Sequence, residues 1–315
     1  NISYIEKIMK ILLVGHQYFC EKIASKLIER HHDVEVVFYE DWGRKIIPTI
    51  LLSKEYDVLH FICGRGMRKF IFPLILRYLM NKHIFVHFVG SDVLQFKRQK
   101  FFDRMNWKLS LHLSNRIFSG SPQLKRELRP LIKSTFFHLQ YQETPHLNIP
   151  LPDEFTVLSY IPKVNPKFYG LDEILRIIET NRDVKFIIIT DYKNELYNYP
   201  NVTILPFDPS RNMEDLYREA TVLIRLTDHD GMAQMVLESL RYGRYVFWTN
   251  KFPYCEHVLK DSNDVSKKLN RYLGVTKPNI QGSEWVRSNL NNQLNIQELI
   301  NIYKNPKFVL KKRFI

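Results

Sequence analysis

The residues whose types and spacing could do chemistry are concentrated between Leu223 and Thr249. Their order reads as a strand over 222–225, an acidic turn Asp228-His229-Asp230, Gly231, a helix over 232–242, Gly243 and a further strand over 245–248. Gly231 lets a backbone come close to a ligand where the helix begins. Amides exposed there can hold a diphosphate with the help of the helix dipole. Glu238 follows Asp230 at the eighth position and lies two turns inside the expected helix, flanked by Val236, Leu237 and Leu240. A carboxylate at that depth needs a partner. The 2′ and 3′ hydroxyls of a ribose would supply one.

The elements that must position these groups alternate along the chain. Strands are expected over 10–14, 34–38, 57–62, 84–88 and 117–118, with helices over 20–30 and 72–80. A second series has strands over 155–161, 184–190, 202–205, 222–225 and 245–248, with helices over 171–179, 213–220 and 232–242. Short apolar strands alternating with amphipathic helices predict an α/β fold with mostly parallel sheets. In such sheets ligands sit beyond the carboxyl ends of the strands. The loops to watch are therefore those at Gly15-His16-Gln17, Gly64-Arg65-Gly66, Val89 to Asp92, Lys163 to Gly170, Asp191, and Thr227 to Gly231.

Between Leu139 and Glu154 the periodicity fails and three prolines appear, which marks a domain boundary. The expected organisation is a first domain over 1–150, a second over 151–295, and a tail over 296–315 whose helix, 296–303, packs back on the first domain. Met9-Lys10-Ile11-Leu12-Leu13-Val14 reads as a natural beginning, so the first eight residues are an extension or the sequence is incomplete upstream.

Composition narrows the class. Of the 315 residues, 45% are hydrophobic and 25% charged, an ordinary globular balance. Cys20, Cys63 and Cys255 are too few and too scattered for a disulfide scaffold or a thiolate metal site, and a cytoplasmic setting fits best. The apolar run at 11–14 is too short for a signal peptide, and no run reaches the roughly 20 residues of a membrane span. The net charge of +13 is uneven: residues 61–133 hold fifteen Lys or Arg against three Asp or Glu. Such a field attracts an anionic partner, whether nucleic acid, a membrane surface or a phosphate-bearing lipid, or else is a solvated basic face. In Arg65 to Phe72 and Phe96 to Leu109, aromatic residues interleave with cations. On a helix this is an interface-seeking pattern, open to peripheral contact with an anionic membrane as to a solvated face, and no nucleic-acid reading module is present.

The segment carrying Asp230, Gly231, Glu238 and Gly243 resembles the nucleotide-sugar site of retaining GT-B glycosyltransferases, in particular family 4. That family has an acid, a glycine soon after it, and a glutamate eight positions beyond the first acid; aspartate stands here for the usual first glutamate. Ile84 to Asp92 is similar to the family's strand and loop ending in His-Gly-Ser-Asp, with Val89 at the histidine position and His87 two residues earlier. His87 either substitutes for that histidine or is a packed strand residue. Ser159 to Gly170 resembles the loop that gives two cations to the donor diphosphate, here Lys163 and Lys167. Gly15 and His16 match the loop after the first strand.

The resemblance implies two Rossmann-like domains facing each other across a cleft, and transfer of a sugar from a UDP- or GDP-linked donor to an acceptor hydroxyl with retention. The acceptor would be a glycan, a glycolipid or another hydroxyl compound. Asp230, Lys163, Lys167, Asp92 and His87 would serve catalysis, while Gly15, His16, Gly231, Met232 and Glu238 would hold the donor. It implies no cofactor beyond the donor and no metal. Asp228-His229-Asp230 has the Asp-x-Asp spacing used for metals in single-domain glycosyltransferases, but Asp230 already belongs to the donor match. The alternatives are a catalytically silent binding or scaffold partner, and an inverting transferase or epimerase of the same fold.

Overall fold

The computed structural model describes residues 8–38, 51–63, 71–138, 149–192, 199–208, 210–290 and 292–307. The chain divides into two compact units, one formed by Asn1–Tyr141 with Leu290–Ile315 and the other by Gln142–Asn289. The loop at Gly64-Arg65-Gly66 and most of the proline-rich segment around 140–153 lie outside the described residues.

In the first unit the strands are β1 (Lys10–Gly15), β2 (Asp33–Phe38), β3 (Val58–Ile62), β4 (His83–Phe88), β5 (Arg116–Ser119) and β6 (Thr135–Phe136). They form one sheet of order β2-β1-β3-β4-β5-β6, paired in parallel throughout. Parallel sheets are covered on both faces, so their strands read as continuous apolar runs; Ile11 to Val14 and Val58 to Ile62 are buried at every position. The covering helices include α1 (Gln17–Ile28), α2 (Asp92–Arg98), α3 (Phe101–His112) and α4 (Pro122–Leu128). One face packs Leu12, Val14, Phe61, Val86 and Phe88 under Phe96, Trp107 and Leu111. The other packs Ile11, Leu13, Phe85 and Phe118 under α1 and the last helix of the chain.

The second unit repeats the plan. Strands β7 (Thr156–Tyr160), β8 (Lys185–Ile189), β9 (Val202–Leu205), β10 (Val222–Arg225), β11 (Tyr245–Trp248) and β12 (Glu256–His257) form a parallel sheet of order β12-β11-β10-β7-β8-β9. Helices α5 (Leu171–Thr180), α6 (Met213–Glu219), α7 (Gln234–Arg241), α8 (Ser262–Asn270) and α9 (Ile280–Asn289) belong to it. In α5 the spacing Leu171, Ile174, Ile177, Ile178 puts one apolar stripe into the core. Each of these side chains contributes roughly 1.5–3 kcal/mol by burial. Both sheets have the crossover pattern whose switch point, between β1 and β3 and between β7 and β10, is the customary ligand position.

The last helix, α10 (Asn292–Lys304), belongs to the first unit: Ile296, Leu299, Ile300, Ile302 and Tyr303 are buried in its core. The Tyr303 hydroxyl lies 2.6 Å from Nδ1 of His60, whose ring stacks on His87 at 5.8 Å. Both imidazoles are buried. Burial lowers the His60 pKa to about 3. Burial, then the neighbouring His60 and His138, hold His87 well below the ordinary histidine value. The folded state therefore keeps both rings neutral, whereas an unfolded chain protonates them below about pH 6.5. Stability of the first unit is expected to be level above that pH and to fall steadily on acidification toward pH 3. Urea midpoints measured across that range, with His87→Phe flattening the slope, check it; a midpoint independent of pH contradicts it.

Candidate functional site

The second unit's switch point is built from the carboxyl ends of β7 and β10 and the loops beyond them. β10 reads Val222-Leu223-Ile224 and then Arg225, a cation at the end of an otherwise apolar strand. Its Nε donates to Oδ2 of Asp230 at 2.5 Å, with the two side chains only 13% and 14% exposed. The guanidinium also lies over the ring of Tyr169, 5.8 Å from its centroid. Burial works against the charge on Arg225, but Asp230, followed by the phenols of Tyr169 and Tyr160, overcomes it and raises its pKa. Burial also raises the pKa of both tyrosines, so they are neutral phenols near neutrality. Among the described residues the Arg225 guanidinium makes no other hydrogen bond, so its terminal amino groups are held in place without being spent on the protein.

Asp230 completes a tight turn by accepting from the Gly231 amide at 3.0 Å. That turn delays the helix. α7 starts at Gln234, not at residue 232, so Met232 precedes it and Glu238 is its fifth residue, little more than one turn in. Glu238 is buried, and its Oε2 accepts a short hydrogen bond from the hydroxyl of Tyr217, a fully buried residue of α6. The partner required by a carboxylate at that depth thus exists within the protein.

The loop after β7 carries Lys163, which is exposed, and Lys167, whose side chain is 79% exposed and whose ammonium lies 3.3 Å from Asp172. A pair so open to water contributes little stability, which leaves Lys167 available to a stronger anion. The loop itself is held firmly. Gly170 has φ +83°, and a Cβ there would sit 2.6 Å from Cβ of Leu226, so only glycine fits. Lys260 donates to the Lys167 carbonyl at 2.6 Å and to Oδ1 of Asp228 at 2.6 Å. The Asp228 amide donates to the Phe168 carbonyl at 3.0 Å. The two acids of the Asp-x-Asp sequence are therefore drawn to different cations, Asp228 to Lys260 and Asp230 to Arg225. Tyr160 faces Phe207 at 5.8 Å, and the Phe207 amide donates to Asp191 at 3.1 Å, extending the aromatic wall to the ends of β8 and β9.

In the first unit Gly15 ends β1 at that sheet's switch point. A Cβ there would lie 2.3 Å from the Ile62 carbonyl oxygen, so its glycine is required by the approach of β3. His16 is exposed at the N-cap of α1, and its carbonyl accepts from Cys20 at 3.0 Å. Asp92 is buried and holds its own loop, accepting from the amides of Gly90 at 2.9 Å, Val93 at 3.1 Å and Val89 at 3.3 Å. His87 points into the core against His60, Phe118 and Phe137.

Arg225, Tyr217 and Lys260 were not singled out from the sequence. Arg225 had a readable signal, since a cation closing a buried strand calls for a nearby acid. Tyr217 and Lys260 had none, because each meets its acid only through the fold.

No family model matches the chain, and no curated protein matches it. Solved structures do. Sucrose-phosphate synthase from Thermosynechococcus elongatus superposes with a TM-score of 0.75 at 12% identity, over 94% of this chain and 99% of that one. The apo lipopolysaccharide outer core galactosyltransferase WaaB gives 0.64 at 14% identity, over 95% and 100%. A Listeria monocytogenes protein assigned as a UDP-N-acetylglucosamine 2-epimerase gives 0.63 at 11% identity, over 98% and 100%. At these identities the likeness establishes architecture alone: the chain has the GT-B fold of two Rossmann-like domains.

Proposed function

We propose that the chain is a glycosyltransferase that moves a sugar from a nucleoside diphosphate sugar to an acceptor hydroxyl with retention of anomeric configuration. The observation that carries this reading is the Arg225–Asp230 pair at the switch point of β7 and β10, followed directly by Gly231 and, within α7, by Glu238. Arg225, fixed by Asp230, presents its terminal amino groups to a phosphate, a bidentate geometry that arginine suits. Lys163 and Lys167 add charge from the loop after β7. Glu238, oriented by Tyr217, reads the ribose hydroxyls, and backbone around Gly231 and Met232 lines the approach. Asp230 orients the donor through Arg225. In the first unit Gly15 and His16 are assigned to close approach of the backbone to donor or acceptor, the loop held by Asp92 to the sugar or acceptor pocket, and His87 supports β4 from within the core.

The glycosidic bond to the diphosphate breaks as the acceptor oxygen bonds to the same face of the anomeric carbon, and the acceptor proton passes to the departing phosphate. The charge gathering on that phosphate is what the three cations offset. We assign no metal role to Asp228 or Asp230, whose oxygens Lys260 and Arg225 engage.

Calorimetric titration with UDP and with GDP tests the donor site. One of them is expected to bind, with affinity about tenfold lower in Glu238→Gln and in Lys167→Ala, a loss of about 1.4 kcal/mol. Binding of neither nucleotide, or binding indifferent to both changes, contradicts the assignment. The likeness to an assigned epimerase supports a second reading, which acceptor-free isomerisation of the donor would reveal.

A further inference from the structure

Helix α3 (Phe101–His112) has two apolar faces. Trp107 and Leu111 are buried in the core of the first unit, beside Phe96 and Phe88. The opposite face carries Phe101, Met105 and Leu109 at helical spacing, 61%, 44% and 44% exposed, with Phe102 beside them at 75%. A surface helix ordinarily turns a polar face to water. One position behind that stripe run Lys100, Arg104 and Lys108, a parallel row of cations, and the helix's one acid is Asp103. The preceding helix α2 ends in Lys97 and Arg98, of which Lys97 bridges Glu127 at 3.5 Å. Tyr78 and Leu79, at the end of the helical turn Ile75–Leu79, are also exposed apolar side chains.

We propose that this outer face of α3 docks on an anionic bilayer surface, with Phe101, Phe102, Met105 and Leu109 entering the boundary between headgroups and acyl chains and Lys100, Arg104 and Lys108 meeting lipid phosphates. The occupant follows from charge. Two copies brought together through this face would set like-charged rows against each other, whereas anionic lipid neutralises them. Nucleic acid would answer the cations but not Met105 and Leu109, which offer no ring for a base to stack on. The apolar stripe beside the basic row is the arrangement of helices that lie in the interface plane. The helix is too short to cross a bilayer, and no described helix is long and apolar enough to do so. The surface stands independently of the donor site.

The test is flotation of the full chain with vesicles of phosphatidylcholine and of phosphatidylcholine mixed with phosphatidylglycerol. Partitioning onto the mixed vesicles is expected to exceed that onto neutral ones by about tenfold or more. The pair Phe101→Ser with Phe102→Ser is expected to lower it about tenfold. The triple change Lys100→Glu, Arg104→Glu, Lys108→Glu is expected to abolish the anionic preference. Because several changes at once can perturb folding, Phe101→Trp serves as a second probe, its emission shifting to the blue with anionic vesicles. Absence of vesicle binding, equal binding to both compositions, retained preference in the charge-reversed variant, or an unshifted tryptophan overturns the proposal. So does concentration-dependent self-association that the Phe101→Ser, Phe102→Ser variant loses.

Discussion

Arg225→Met is expected to lower kcat/KM for the donor about 100-fold, equivalent to about 2.7 kcal/mol. Two losses combine. On the proposed reading the donor phosphate loses a guanidinium that is positioned beforehand, its Nε tied to Asp230 at 2.5 Å and its central carbon over the ring of Tyr169. Asp230, only 14% exposed, is left without its cation beside the proposed phosphate position. Removing one partner of a buried pair costs about 3–5 kcal/mol in stability because the remaining charge stays unpaired. Pairing at 13% and 14% exposure places the loss at the lower end of that range. The double variant Arg225→Met, Asp230→Asn separates the two effects: thermal stability should return while kcat/KM stays low. Arg225→Lys should fall between, since a lysine supplies the charge without the fork. Wild-type kcat/KM in Arg225→Met would show that Arg225 serves packing alone.

The second large effect concerns the first unit's fold. Gly15→Ala is expected to destabilise that unit by about 3 kcal/mol. The new methyl carbon would stand 2.3 Å from the Ile62 carbonyl oxygen and 2.8 Å from Ile62 Cβ, and neither backbone can yield without breaking the β1–β3 register. Overpacking of a tight core costs about 1–3 kcal/mol, and the upper end applies where the obstacle is main chain. Gly90→Ala is the control, because a Cβ at Gly90 meets nothing within 4 Å. Urea denaturation of the two variants should separate them clearly. If Gly15→Ala unfolds with the wild type, the close approach of β1 to β3 is not what requires glycine there.

These contacts mark where the sequence was legible. Strands such as Ile11 to Val14 and Ile187 to Ile189 announced themselves because sheets covered on both faces select unbroken apolar runs. Helix α8 did not, since only Ser262, Val265 and Leu269 of its nine residues are buried. Two-residue strands such as β6 and β12 lack any period at all. At the site, the spacing of Asp230, Gly231 and Glu238 was readable because one turn and one helix set it. Their partners were not. Tyr217 lies 21 residues before Glu238 and Lys260 lies 32 after Asp228, distances bridged only by the crossovers of the second sheet. The helix expected from residue 232 begins later for a local reason: the Asp230 carboxylate accepts from the Gly231 amide, and α7 starts at Gln234. The two faces of α3 make one amphipathic pattern in the sequence, and only burial separates Trp107 and Leu111, which belong to the core, from Phe101, Met105 and Leu109, which do not.

The most direct test of the central claim is turnover followed by proton NMR, with a panel of UDP- and GDP-linked sugars offered with and without hydroxyl acceptors, in the presence and absence of a chelator. The expected result is consumption of one donor, unaffected by chelator, with the transferred or released sugar carrying the anomeric configuration it had in the donor. Product of inverted configuration, or a panel left untouched by a chain that binds neither UDP nor GDP, would contradict it.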